Sequence, residues 1–193
     1  QDVVARETLE TAGARKRGQD LEGQVGASAS MWMEQIARPF LILELTDSAL
    51  MLGLVTATRM IPQLLVGIWA GVLADRMDKK KILAYSQSVT FAMHIVTAVL
   101  ILSGAIEVWM VFLTTFVSGS SMAFNQPARQ SLIAKIVPSS SLHNAIALNS
   151  AAVNFMRIGG ASIAGAILAF TDFGELYLIQ GLIYVGVIWT TTR

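Results

Sequence analysis

Six long, mostly apolar stretches, each near the length needed to cross a bilayer, constrain this chain more than any other feature of its sequence. A hydrocarbon layer about 30 Å thick is spanned by roughly 20 helical residues. Inside it no water is available for backbone amides and carbonyls, so each stretch must satisfy its own backbone as an α-helix. The stretches cover residues 23–45, 48–74, 82–103, 108–124, 145–170 and 176–192. The first is the least apolar, interrupted by Glu34, Arg38 and Glu44, and the second carries Arg59 and Pro62, a proline that a membrane helix absorbs as a kink. Hydrophobic residues make up 54% of the 193 positions and charged residues 14%, so lipid rather than water is the expected solvent. The fold expected is all-α and polytopic, with a six-helix transmembrane domain over residues 23–193.

Charge placement between the spans gives an independent reading of the topology. Of the fourteen Lys and Arg residues, Arg6, Arg15, Lys16, Arg17, Arg76, Lys79, Lys80, Lys81, Arg129, Lys135 and Arg193 fall on one side. The other side has none and holds Asp47, Glu107, Asp172 and Glu175. By the positive-inside rule both ends of the chain are expected in the cytoplasm. Residues 1–22, with nine charges and no apolar core, read as a charged cytoplasmic extension instead of a secretion signal. A chain opening on Gln1 instead of Met is expected to be a fragment or a processed form. With no cysteine, disulfides, thiolate metal sites and thiol catalysis are all excluded.

The most specific local pattern is Gly71-Val72-Leu73-Ala74-Asp75-Arg76-Met77-Asp78-Lys79-Lys80-Lys81, between the second and third spans. It resembles the Gly-x-Leu-Ala-Asp-Arg-x-Gly-Arg-Lys loop between helices 2 and 3 of the major facilitator superfamily. Gly71, Leu73, Ala74, Asp75, Arg76 and Lys80 match outright, Lys79 matches in charge, and Asp78 stands where the family has glycine. A left-handed backbone there costs Asp more than Gly. Asn125-Gln126-Pro127-Ala128-Arg129 and Arg157-Ile158-Gly159-Gly160-Ala161 resemble, with one insertion and one substitution, motifs of the branch that exports multidrug substrates, macrolides and siderophores. Thr115, four residues before Gly119, occupies a position where many proton-coupled drug exporters carry arginine.

The resemblance implies two inverted three-helix repeats, half of a twelve-helix fold, with substrate bound between this half and a C-terminal six-helix half. It implies a secondary transporter working by alternating access in a bacterial cell membrane, exporting small hydrophobic or amphipathic molecules. A coupling ion, with H+ as candidate, would drive the cycle. Gly71, Asp75, Arg76, Lys79 and Lys80 would form a conformational gate. No cofactor, metal, catalytic residue or nucleic-acid partner is implied.

Ionisable groups deep in a span are costly enough to mark a functional cavity, which singles out Glu34, Arg38, Arg59 and Arg157 as substrate or proton candidates. Glu34 and Arg38 are four residues apart, a spacing that also suits a purely local ion pair. Arg59 and Arg157 have no evident carboxylate at similar depth. His94, in the third span, reads more readily as a packed neutral side chain than as a proton carrier. Gly67 with Gly71, and Ala161 with Gly165, have the small-x-x-x-small spacing of close helix packing. Two other classes remain open: a six-span channel, and an intramembrane hydrolase assembled from Ser120 or Ser121 with His94 or His143.

Overall fold

The computed structural model describes residues 25–76, 78–136 and 142–192, and every regular element among them is an α-helix. Helix α1 covers residues 25–46, followed by α2 (Ala49–Arg76), α3 (Lys79–Leu102), α4 (Val108–Ile136), α5 (Leu142–Leu168) and α6 (Phe173–Thr192). Four carry a predominantly apolar stretch of spanning length: Ala49–Gly67, Lys80–Leu102, Val108–Asn125 and Phe173–Thr192. Helix α5 adds the shorter stretch Val153–Leu168, and α1 is interrupted by its three charges. The charged extension over residues 1–22 lies outside the described residues.

Helix α4 runs on to Ile136, through Pro127, although its apolar stretch stops near Asn125 and the sequence there reads as a break. A helix leaving lipid for water needs no apolar residues to keep its backbone bonded, so hydropathy marks the end of the span and not of the helix. Asp78 also departs from expectation. Its backbone is extended, at φ −63° and ψ 115°, and its carboxylate accepts a hydrogen bond from the Lys80 amide at 3.0 Å as the N-cap of α3. An Asp where the family has glycine is therefore accommodated without left-handed strain.

Helix pairing follows the symmetry of two inverted repeats. Helices α2 and α4, α3 and α4, and α3 and α6 pack together. Gly160 of α5 lies against Ala29 and Trp32 of α1, Gly26 of α1 against Ile183 and Val187 of α6, and Arg38 of α1 reaches Ser118 of α4. Exchanging each helix with the one three places along maps α2/α4 onto α5/α1 and α3/α4 onto α6/α1. The α3/α6 and α1/α4 pairs map onto themselves, so the pairing is invariant under the exchange.

Close crossings are made at glycines other than the expected pairs. A Cβ on Gly119 would lie 2.6 Å from the Arg59 carbonyl oxygen, and one on Gly160 would lie 2.8 Å from the Trp32 Cβ. Only glycine permits α4 to approach α2, and α5 to approach α1, this closely. At Gly67 and Gly165, by contrast, an added Cβ would meet nothing within 4 Å among the described residues. The side-chain surroundings of position 71 lie outside the described residues.

The bundle buries polar side chains beside an apolar cluster that includes Met33, Leu41, Ile42 and Leu176, and its outer surface is apolar, unlike that of a water-soluble protein. Leu64, Trp69, Tyr85, Phe155 and Leu182 are all at least two-thirds exposed, whereas Ser30, Thr97, Thr115, Ser118, Ser121 and Gln180 are buried. Apolar side chains gain nothing by leaving lipid, so helices associate through small residues and interhelical hydrogen bonds. The α3–α4 seam shows both. Ser121 Oγ donates to the Ser86 carbonyl at 2.6 Å, and Asn125 Nδ2 donates to Ser86 Oγ at 2.9 Å.

Candidate functional site

Halfway along the helices, α1, α2 and α4 enclose a cleft of about 480 Å³, with α5 contributing Val153 at its edge. Its walls carry Glu34, Gln35 and Arg38 from α1, Thr56, Arg59 and Gln63 from α2, and Thr115 and Met122 from α4. Around these polar groups lie Met31, Trp32, Val55 and Met60, giving an apolar lining with a few convergent charges. Small-molecule sites commonly have this composition.

Glu34 and Arg38 project from one face of α1. Glu34 Oε1 lies 2.5 Å from Arg38 Nη2, and only 5% and 4% of the two side chains are exposed. The same Nη2 donates to Ser118 Oγ at 3.0 Å, tying α1 to α4. The local ion pair suggested by the four-residue spacing is thus present, but its members also face the cleft. Arg59 enters from α2, where its Nη2 meets Met122 Sδ at 3.3 Å. Among the described residues no carboxylate oxygen lies within 4.0 Å of Arg59. Thr115 is buried, its hydroxyl bonded to the Val111 carbonyl at 2.6 Å. Positive charge therefore reaches the α4 wall from α1 and α2, where the resemblance led one to look for an arginine on α4 itself.

Arg157 lies apart from this group. It is exposed on α5, one helical turn beyond Val153, with its guanidinium 5.8 Å from the ring centroid of Trp32. A cation at that distance over an indole is attracted by the ring quadrupole. The gate residues Gly71, Asp75 and Arg76 belong to the last turns of α2, and Lys79 and Lys80 to the first turn of α3. Lys80 is exposed, and the side chains of Asp75, Arg76 and Lys79 lie outside the described residues. No group of three or more His, Asp or Glu suited to a metal occurs among the described residues.

Behind the cleft lies a second layer, of which the sequence pointed to His94 but not to its neighbours on α6. His94 of α3 is fully buried, with Tyr177 and Tyr184 of α6 at ring-centroid distances of 5.8 Å and 5.3 Å. Gln180 is fully buried on the same helix. Positions 177, 180 and 184 repeat at helical spacing in an otherwise apolar segment, which is the sequence signal that could have found them. His94 Nε2 stands 3.9 Å from Glu34 Oε2, so this layer and the cleft share the Glu34 carboxylate.

The profile of the transmembrane secretion effector family matches residues 23–193, almost the whole chain outside the charged extension. The chain belongs to this family, a branch of the major facilitator superfamily. It is 30% identical to the staphyloferrin A transporter of Staphylococcus aureus over 154 residues, 79% of this chain and 39% of that protein. It is 24% identical to macrolide efflux protein A of Streptococcus pyogenes over 160 residues, 83% of this chain and 40% of that protein. An MFS-type transporter of Bacillus subtilis is 23% identical over 170 residues, 87% of this chain and 40% of that one. The chain spans about half the length of these relatives. Its family membership and its long apolar helices make it an integral membrane protein of the transporter class.

Proposed function

We propose that this chain is the substrate-binding N-terminal half of a secondary exporter, and that the α1–α2–α4 cleft is its share of a site completed by a second six-helix half. The observation that carries the reading is the cleft itself: Glu34, Arg38 and Arg59 converge halfway along helices whose outer surfaces are apolar. Charge at that depth is tolerated where it lines a watered cavity or meets a ligand. The open surroundings of Gly67 on α2 and Gly165 on α5 support those two helices as the ones that meet the other half. Alternating access would follow from rocking of the two halves about the cleft, with no covalent step. No observation favours a channel or a hydrolase.

The substrates proposed are small amphipathic molecules, including a macrolide or a carboxylate-bearing siderophore of the kinds named for the relatives. The test is export by the full-length protein in bacterial cells stripped of other efflux systems. Expression should lower the accumulation of a labelled macrolide or raise siderophore release, and Arg59→Ala should reduce that export about tenfold, the cost of one charge-assisted contact. Unchanged accumulation of both compounds would count against the exporter reading. Export indifferent to Arg59→Ala would move the site out of this cleft.

The orientation proposed puts the α2–α3 connection in the cytoplasm, supported by the eleven cations assigned to that side and none to the other. With no native cysteine in this chain, single cysteines can report sidedness. In intact cells an impermeant maleimide should label a cysteine placed at Glu107 and spare one placed at Lys80. The opposite pattern would invert the topology.

A further inference from the structure

The shared Glu34 carboxylate creates a confrontation that neither packing nor the local ion pair resolves. His94 Nδ1 lies 2.7 Å from the Thr90 carbonyl oxygen, one turn back on α3. A carbonyl has no proton to give, so Nδ1 must be the nitrogen that carries the hydrogen. In a neutral imidazole the other nitrogen is then bare. That nitrogen, Nε2, is buried without a hydrogen-bond partner and stands 3.9 Å from Glu34 Oε2. Two acceptors thus stand 3.9 Å apart in a site nearly closed to solvent, with the Gln180 amide as the other polar group beside the ring, an arrangement that is costly without a proton between them.

We propose that Glu34 and His94 form a proton-binding pair, taking one proton between Oε2 and Nε2 that arrives from the cleft by way of Glu34. The pair spans two compartments: Glu34 lines the cleft, and His94 lies in the fully buried layer behind it. Closing the separation by about 1 Å would bring it into the range of a charge-assisted hydrogen bond, a movement within reach of small side-chain rotations. One proton enters, no bond other than this hydrogen bond forms, and the site gains one positive charge.

The charged and titratable neighbours make that gain consequential. On α1, Arg38 holds Oε1 of the same carboxylate. On α2, Arg59 lines the cleft with a further positive charge. On α6, Tyr177 and Tyr184 flank the imidazole beside the neutral amide of Gln180, and α4 carries the buried hydroxyls of Thr114, Thr115, Ser118 and Ser121. Once His94 is an imidazolium, it competes with Arg38 for a single carboxylate. Arg38 is then freer to engage an anionic group in the cleft, and proton binding in one layer is felt in the other. The adjacent guanidinium also argues against a metal cation as the natural occupant.

Proton binding by this pair stands apart from the exporter reading, whereas its use as the coupling site depends on it. The test therefore reads the proton directly. Full-length protein labelled with ¹⁵N-histidine is titrated by NMR over the histidine range, about pH 5 to 9, with the His94 resonances assigned as those lost in His94→Gln or His94→Asn. At alkaline pH the expected signal is the Nδ1–H tautomer with a bare Nε2, converting to the doubly protonated ring on acidification. In Glu34→Gln that conversion should be lost over the same range. An Nε2–H tautomer, or a ring neutral throughout as a bridging water would leave it, overturns the proposal. So does a titration unchanged in Glu34→Gln. Should that variant fail to fold, the tautomer and titration of the unmodified protein decide the matter alone.

Discussion

Replacing Arg38 by methionine is expected to destabilise the protein by about 3–5 kcal/mol, the range for removing one partner of a buried ion pair. Methionine keeps most of the apolar stem and removes the charge, so the loss reports electrostatics and not an empty cavity. Glu34 would be left with only 5% of its side chain exposed and no cation at 2.5 Å, while Ser118 would lose its bond to Nη2. The companion double variant, Arg38→Met with Glu34→Gln, removes the orphaned charge and should recover most of that loss. Equilibrium unfolding in detergent micelles measures both, and the cycle isolates the coupling between the two residues. Equal stability of the single and double variants would mean that Arg38 does not hold the Glu34 charge in place.

That pair was legible in the sequence because its members are four residues apart on one helix, a relation set by helical geometry alone. Its second role was not. The approach of His94 to Glu34 joins α3 to α1, and no spacing encodes which faces of two separate helices will meet. The apolar stretches located the spans because lipid demands them, yet hydropathy could not place the end of α4, whose last residues continue the helix without being apolar. The small-residue pairs show the same limit. Gly67 and Gly165 have the expected spacing but open surroundings, and the tight crossings fall at Gly119 and Gly160. Spacing identifies a surface able to pack closely, whereas helix pairing decides whether a neighbour is there.

Topology also explains why the missing arginine at Thr115 does not leave the cleft without positive charge. Arg59 can stand beside the α4 wall because Gly119 lets the α2 backbone approach to a distance that a side chain would forbid. Arg38 arrives at the same wall through Ser118. The electrostatic character of the site is thus assembled from three helices. Reading α4 by itself would assign the site a different chemistry.

Glu34→Gln is the variant expected to have the largest effect on transport, and its effect should differ in kind from that of Arg38→Met. Glutamine keeps the shape of the side chain and an oxygen able to accept from Arg38 Nη2, which retains its bond to Ser118 as well. The geometry should therefore be kept, but Arg38 is left as a buried charge without its counter-ion, so a stability loss of the same order as in Arg38→Met is expected and flux is read on protein shown to be folded. What disappears is the carboxylate that a proton can join to His94, and with it the competition between imidazolium and guanidinium. Transport that continues in the variant should proceed down the substrate's own gradient, with stimulation by an imposed pH gradient reduced about tenfold or more. The measurement is flux of whichever macrolide or siderophore the unmodified protein exports, in proteoliposomes with and without a pH step. Full stimulation in the variant would place the coupling ion elsewhere and leave Glu34 as the local partner of Arg38. Loss of all flux, downhill flux included, would instead make the carboxylate part of the substrate contact, because a coupling residue is dispensable once the gradient is removed.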